Sequence, residues 1–226
     1  MSNIDTRHIK LIQFDLDGTL IDSVAQLWQA VNLMLAELGH PQVTEQEVRL
    51  WVGNGADMLV QRALTAVLTR PPTPSLHQQA RGLFDNAYQS VASHQVVLYP
   101  GVIDTLEQLK AAGYTLALVT NKPYGFVPDI LAKTGLAPYF SLSLGGDSLA
   151  DKKPSPVPLL HVCHTLNIAP EHSIMVGDSE NDILAAQTAG MASVGLTYGY
   201  NYGKSIADSQ PNWVINQFSE LLDLLK

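Results

Sequence analysis

Short apolar runs that each end in a polar residue, and that alternate with helical stretches, constrain this chain most. Residues 9–14 (IKLIQF) end at Asp15, residues 114–119 (YTLALV) at Thr120 and Asn121, and residues 173–176 (SIMV) at Gly177 and Asp178. Continuous apolar runs of this length read as strands buried on both faces of a parallel sheet. Between them the period lengthens to three or four residues. Leu27, Val31, Leu35 and Leu38 mark a helix over 22–38 that Gly39 stops,. Further helices are predicted over 55–68, 76–93, 102–112 and 126–133, and a further strand over 140–144. Pro156 and Pro158 suit the first turn of a helix through LLHVCHTLN, and 181–189 forms another before Gly190,. This alternation predicts an α/β fold with a Rossmann-like, mostly parallel sheet and helices on both faces. Residues 21–96 interrupt it with helices alone, around the turn Arg70-Pro71-Pro72-Thr73-Pro74,. The expected organisation is a catalytic core of 1–20 and 97–226 with an inserted all-helical cap domain over 21–96. The last stretch, 218–225, suits either a helix packed on the core or a dimer contact, so monomer and homodimer both stand.

Composition narrows the function. Thirteen Lys plus Arg against 21 Asp plus Glu give a formal charge of −8, which offers no basic surface and argues against a nucleic-acid partner. No apolar run approaches the roughly 18 residues that cross a bilayer. Residues 1–18 lack the apolar stretch of a signal peptide,, so no membrane association and a cytoplasmic location are expected. The single Cys163 fits a reducing compartment,. His161 and His164 beside it have no acidic third ligand nearby and read as ordinary helix residues. Neither GxGxxG nor GxxxxGK[ST] occurs, which removes the dinucleotide fingerprint and the P-loop,.

In an open parallel sheet, ligands bind beyond the carboxyl ends of the strands. The residues expected there are Asp15, Asp17, Thr120, Asn121, Asp178 and Asp182, with Lys153 in the loop Asp151-Lys152-Lys153-Pro154. Singly these are caps, turn residues and surface charges. Together, carboxylates on one edge repel unless a cation sits among them, and an all-oxygen set suits Mg²⁺. Such a metal would bridge the cluster to a phosphate oxygen. Asp15 can then attack phosphorus, while Asp17 protonates the leaving group and later activates water. Thr120 can hold a non-bridging oxygen, backbone N–H groups near Leu16 and Asn121 add donors, and Lys153 offsets charge on nucleophile and phosphate. In the insert, Gly53-Asn54-Gly55 reads as a turn or as a loop facing the mouth of the site. Arg49 and Arg62 read as solvated side chains or as holders of a substrate carboxylate. Trp51 is a candidate for the inner surface of the cap. Tyr198, Tyr200 and Tyr202 in TYGYNYG belong to a loop near the catalytic edge.

Asp15-Leu16-Asp17-Gly18-Thr19-Leu20, Thr120-Asn121, Lys153-Pro154 and Gly177-Asp178-Ser179-Glu180-Asn181-Asp182 follow one another in that order, and with them the chain resembles the haloacid dehalogenase superfamily of phosphohydrolases. The resemblance implies that Asp15 is the phosphorylated nucleophile and Asp17 the acid/base, whose backbone carbonyl also ligates Mg²⁺. It implies Asp178 as a metal ligand, assisted by Asp182. Dehalogenases of the superfamily lack an acid/base carboxylate at the position of Asp17, so phosphoryl transfer is expected. The insert resembles the helical cap that closes over the active site of capped members. Trp51-Val52-Gly53-Asn54-Gly55-Ala56-Asp57, Gly145-Gly146-Asp147-Ser148 and Lys152-Lys153-Pro154-Ser155-Pro156 are similar to the branch that hydrolyses 2-phosphoglycolate. Ser155 stands where bacterial members often carry His. The expected substrate is thus a small anionic phosphomonoester, 2-phosphoglycolate first, contacted by Thr120, Asn121, Lys153, Gly53, Asn54 and Arg62. Phosphatases of sugar or amino-sugar phosphates, pyrophosphatases and hexose phosphomutases share this core chemistry. A receiver-like signalling domain shares the residue types, but there the phosphorylated Asp and the acidic pair lie on different strands, whereas Asp15 and Asp17 share one loop.

Overall fold

The computed structural model describes residues 6–91 and 96–225. In chain order, β1 (Leu11–Phe14) and β2 (Ile21–Asp22) lead into four helices, α1 (Val24–Glu37), α2 (Glu45–Trp51), α3 (Ala56–Leu68) and α4 (Pro74–Val91). Then follow β3 (Val97–Leu98), α5 (Val102–Ala111), β4 (Thr115–Val119), α6 (Val127–Thr134), β5 (Leu142–Leu144) and α7 (Val157–Leu166). The chain closes with β6 (Ser173–Gly177), α8 (Glu180–Ala189), β7 (Ala192–Leu196), β8 (Trp213–Ile215) and the short α9 (Leu221–Leu224).

Six strands form one sheet in the order β5-β4-β1-β6-β7-β8, and every pairing in it is parallel. The strand period of two explains the apolar runs. Ile12, Phe14, Leu116, Leu118, Ile174 and Val176 face one layer, with Leu106 and Leu109 of α5, Ile130 and Leu131 of α6, and Leu221 of α9. Leu11, Ala117, Val119 and Met175 face the other, with Leu159 and Val162 of α7 and Ala185 and Ala186 of α8. Both faces are covered, which is why neither alternates with polar residues. Cys163 is buried in that second layer beside Ser173 Oγ at 3.3 Å, while His161 and His164 are exposed. Residues 218–225 pack on the core, with Phe218 and Leu221 buried in the first layer.

The helices α1–α4 enclose an apolar cluster of their own, including Leu27, Val31, Leu35, Leu59, Leu64 and Phe84, which Tyr200 joins from a distant loop. The chain enters and leaves this layer through a two-residue ribbon in which Ile21 pairs with Leu98 and Asp22 with Val97. This ribbon corrects two expectations. The stretch after residue 20 is not helical throughout, and α1 starts at Val24 because Asp22 is engaged in the ribbon. The helix expected over 76–93 starts earlier, at Pro74, a residue tolerated in a first turn,; Ala92 and Ser93 lie outside the described residues. Among the expected elements α2 has no counterpart, although Thr44 and Glu47 form a full capping box at its start, a T-x-x-E signal readable in sequence,. The strands β7 and β8 are likewise additions. Among the described residues no helix is long and apolar enough to cross a membrane.

Candidate active site

Register brings the expected residues together. Phe14 pairs with Leu118 on one side and with Val176 on the other, so β1, β4 and β6 end level. The chain order reverses at β1, where a crevice forms beyond the strand ends. Asp15, Thr120 and Asp178 leave those three strands within two residues of the paired positions. All three are buried.

One carboxylate oxygen each from Asp15, Asp178 and Asp182 lies within 4.8 Å of the others. The only ammonium bonded to this group among the described residues is that of Lys153, which is 2% exposed and donates to Asp15 Oδ1 at 2.8 Å, to Asp182 Oδ1 at 2.7 Å and to the Val119 carbonyl. Asp178 has neutral partners instead, the Thr19 hydroxyl at 2.7 Å and the Tyr200 N–H at 2.6 Å. Three buried carboxylates thus share one cation. Burial pushes the Asp15 carboxyl up to about 6 against the pull of Lys153, and burial, with Asp15 and Asp182 adding to it, pushes Asp178 well above the usual carboxylate range,. Such a set lacks positive charge, and its oxygen donors fit a hard divalent cation. Asp182 is already engaged on both oxygens, by Lys153 and by the N–H and hydroxyl of Ser179, in the capping box that opens α8. It therefore orients Lys153, whereas each Asp178 oxygen accepts a single bond from a neutral donor.

The loops around Asp178 close tightly because two glycines permit it. A Cβ on Gly18 (φ +92°), or one on Gly199, would come 2.2 Å from Asp178 Oδ2.

Asp17 stands outside the three-carboxylate cluster. Its Oδ1 accepts from Ser23 Oγ at 2.6 Å, and the Lys122 ammonium reaches Oδ1 at 2.9 Å and Oδ2 at 3.0 Å. Lys122 is 6% exposed and also lies 4.7 Å from the centre of the Tyr88 ring on α4,. Asp17 and Tyr88 push the Lys122 ammonium up, against burial, so it stays charged. Sequence reasoning passed over Lys122. Its position directly after Thr120-Asn121, at the strand end, was the available signal.

Between this edge and the helical layer lies a cavity of about 50 Å³. Asp15, Asp17, Thr120, Asn121, Lys122 and Lys153 line its polar floor, and Leu27, Val52, Leu59, Phe84, Tyr88 and Phe126 wall it with apolar surface. Gly53 and Gly55 line it too, and the Gly53 carbonyl accepts from Asn121 Nδ2 at 3.0 Å and from Asn181 Nδ2 at 3.1 Å. Asn121 Nδ2 also donates to the Lys153 carbonyl at 2.9 Å.

Asn54 and Arg62 are placed otherwise than expected. Neither lines the cavity. Arg62 donates to the Trp51 carbonyl and, at 2.6 Å, to Asn54 Oδ1, and it stacks on the Tyr202 ring, so its fork is spent on shaping the loop. Asn54 Nδ2 turns to Asn181 Oδ1 at 3.3 Å. Arg49 pairs with Asp22 and Glu45. Val52, not Trp51, faces the cavity.

The three tyrosines tie the site together. Tyr198 donates to the Thr19 carbonyl at 2.9 Å, the Tyr200 hydroxyl donates to Asp22 and accepts from the N–H groups of Ser23 and Val24, and Tyr202 accepts from Asn181 at 2.7 Å.

Comparison with known proteins gives the family. A model of the haloacid dehalogenase-like hydrolase family matches residues 12–196. A phosphoglycolate phosphatase of Vibrio vulnificus (strain CMCP6) is 52% identical over 221 residues, covering 97% of each chain. One from Vibrio cholerae serotype O1 is 48% identical over 221 residues, 97% of this chain and 98% of its own. The crystal structure of a predicted phosphoglycolate phosphatase from Haemophilus somnus 129pt superposes with a TM-score of 0.93 at 43% identity, covering 97% of this chain and 99% of that one. CbbY from Rhodobacter sphaeroides, solved in complex with phosphate, superposes with a TM-score of 0.81 at 26% identity over 96% of this chain and 99% of its own. A family match running from the central strand to β7, alongside relatives about half identical over nearly their whole length, means that this chain belongs to the haloacid dehalogenase-like hydrolase family.

Proposed function

We propose that this chain is a Mg²⁺-dependent phosphomonoesterase that hydrolyses 2-phosphoglycolate to glycolate and phosphate through an aspartyl phosphate on Asp15. The observation that carries the choice of substrate is the cavity over Asp15. Its charged floor beside Asp15 and its wall of Leu27, Leu59, Phe84 and Phe126 suit a short acid without hydroxyl groups. Sugar hydroxyls against that wall would lose their hydrogen bonds with water and find no partners, a cost that disfavours hexose phosphates and a mutase. The second phosphate of pyrophosphate would need more positive charge than the floor offers. The names carried by the Vibrio relatives support the same substrate.

In this reading Asp15 and Asp178, with the backbone carbonyl of Asp17, hold Mg²⁺, and Asp182 keeps Lys153 in place. Bound there, Mg²⁺ would supply the positive charge that the three carboxylates lack. The Asp15 carboxylate attacks phosphorus, and the bond from phosphorus to the ester oxygen breaks. Asp17 gives its proton to that oxygen and glycolate leaves. Asp17 then takes a proton from water, whose oxygen attacks phosphorus, releasing phosphate and restoring Asp15. Thr120 Oγ1 and the N–H groups of Leu16 and Asn121 hold the phosphoryl oxygens, and Lys153 offsets their charge.

Residues 21–96 act as the cap, hinged at the β2–β3 ribbon, and residues 1–20 and 97–226 as the catalytic core. Closure keeps bulk water from the aspartyl phosphate. The lone buried thiol of Cys163 suits a cytoplasmic location,.

The test is phosphate release, with Mg²⁺ and with EDTA, across 2-phosphoglycolate, hexose and amino-sugar 6-phosphates, nucleoside monophosphates and pyrophosphate. Metal-dependent turnover with kcat/KM highest for 2-phosphoglycolate by about 100-fold, roughly 2.7 kcal/mol, is expected. A sugar phosphate or pyrophosphate in first place would refute the substrate. Turnover by Asp15→Asn at the wild-type rate would refute the mechanism.

A further inference from the structure

We propose that Lys122 is the residue that selects the substrate's carboxylate. The proposal rests on 2-phosphoglycolate being the substrate and adds which side chain recognises it. Among the described residues lining the cavity, Lys122 and Lys153 are the only cations, and Lys153 is committed to Asp15, Asp182 and the Val119 carbonyl. The arginines of the helical layer that were candidates for this task are engaged elsewhere, Arg62 with Trp51 and Asn54 and Arg49 with Asp22 and Glu45.

Substrate geometry points to the same ammonium. In 2-phosphoglycolate the carboxylate carbon is two bonds from the ester oxygen, about 2.4 Å away. A cation for that carboxylate must therefore stand beside the group that protonates the ester oxygen. Lys122 does so, with its Nζ 2.9 and 3.0 Å from the two oxygens of Asp17. An ammonium has three donors, so it can keep one on Asp17 and turn another to the substrate. The Tyr88 ring from α4 lies over it, so cap and core together surround the bound anion. The carboxylate thus meets a charged partner there that an alkyl phosphate without a carboxylate does not use.

The experiment compares 2-phosphoglycolate with ethyl phosphate, the two-carbon phosphomonoester that lacks the carboxylate, as the ratio of their kcat/KM values in wild type, Lys122→Met, Lys122→Arg and Lys152→Met. Taking a ratio removes any effect that Lys122 has on Asp17 alone, because that effect falls on both substrates. The wild-type ratio is expected to exceed about 100, and Lys122→Met to lower it by about 10- to 100-fold, mainly through KM for the acid. Residual ethyl phosphate hydrolysis reports an intact site. Lys122→Arg keeps the charge and is expected to keep a preference of at least about tenfold. Lys152 lies outside the cavity lining, with its ammonium 3.1 Å from where a Cβ on Gly55 would fall, and its variant is expected to keep the wild-type ratio. An unchanged ratio in Lys122→Met, a ratio lost in Lys122→Arg, or a collapse in Lys152→Met would each overturn the proposal. A wild-type ratio near one would instead overturn the substrate itself.

Discussion

Replacing Tyr200 by Phe removes one oxygen and leaves the ring in its place in the apolar cluster of the helical layer. That oxygen accepts from Ser23 N at 3.0 Å and Val24 N at 3.2 Å and donates to Asp22 Oδ1. It does the work of an N-cap for α1, since the Ser23 hydroxyl is turned to Asp17 and makes no cap bond,. Burial, with Tyr99 and Asp22 beside it, pushes the Tyr200 phenol far up, so the hydroxyl keeps its proton and the bonding pattern across the neutral range. In the variant Val24 N retains a long contact to Asp22 Oδ1 at 3.4 Å, and Asp22, part-exposed, regains water. Ser23 N is left buried and unpaired. One orphaned donor at about 1–2 kcal/mol and one weakened bond at about 1 kcal/mol sum to about 2–3 kcal/mol. For a chain of this size that lowers Tm by about 4–12 °C. Thermal unfolding followed by circular dichroism at pH 7, with Tyr198→Phe as a single-bond control, measures it. A Tm within about 1 °C of wild type would refute the claim that a hydroxyl distant in sequence caps this helix.

Gly18→Ala should weaken Mg²⁺ binding more than it destabilises the fold, because its methyl would fall 2.2 Å from Asp178 Oδ2 at a φ of +92°; titrating turnover against Mg²⁺ should show at least a tenfold higher requirement, and an unchanged curve would contradict it. Burial pushes the Cys163 thiol up, so alkylation by iodoacetamide at pH 8 should be slow in the native protein and fast once unfolded, as mass spectrometry would read. The Thr44 cap holds the Glu47 carboxyl below its usual range. A folded-state depression contributes stability above the carboxylate range and loses it as pH falls through the lowered value. The stability gap between wild type and Glu47→Gln should therefore be constant near pH 7 and close below about pH 4, whereas a gap that widens in acid would reverse the assignment.

The continuous apolar runs before Asp15, Thr120 and Asp178 made the central strands and their buried faces legible, since only a sheet covered on both sides uses strands without polar alternation. The convergence of Asp15, Asp178, Lys153 and Thr120 on one edge followed, because parallel strands deliver their carboxyl ends to the same side. The order of the motifs pointed to the family for the same reason. The strands β7 and β8 were harder to read. The first is diluted by Ser193 and Gly195, and the second is a three-residue edge whose pairing comes from its neighbour,.

The partners of the long side chains were decided by tertiary structure. Lys122 and Asp17 lie 105 residues apart and meet only because β1 and β4 pair in one register. A lysine stem is flexible, and nothing local in its sequence says which anion it will find. Arg62 looked equally suited to an anion, but the backbone turn at Trp51 and the amide of Asn54 occupy its fork. Local sequence determined which residue types stand at the strand ends, because periodicity and turn chemistry act over a few residues. Register and packing between distant segments determined which of those charges are satisfied inside the protein and which remain available in the cavity.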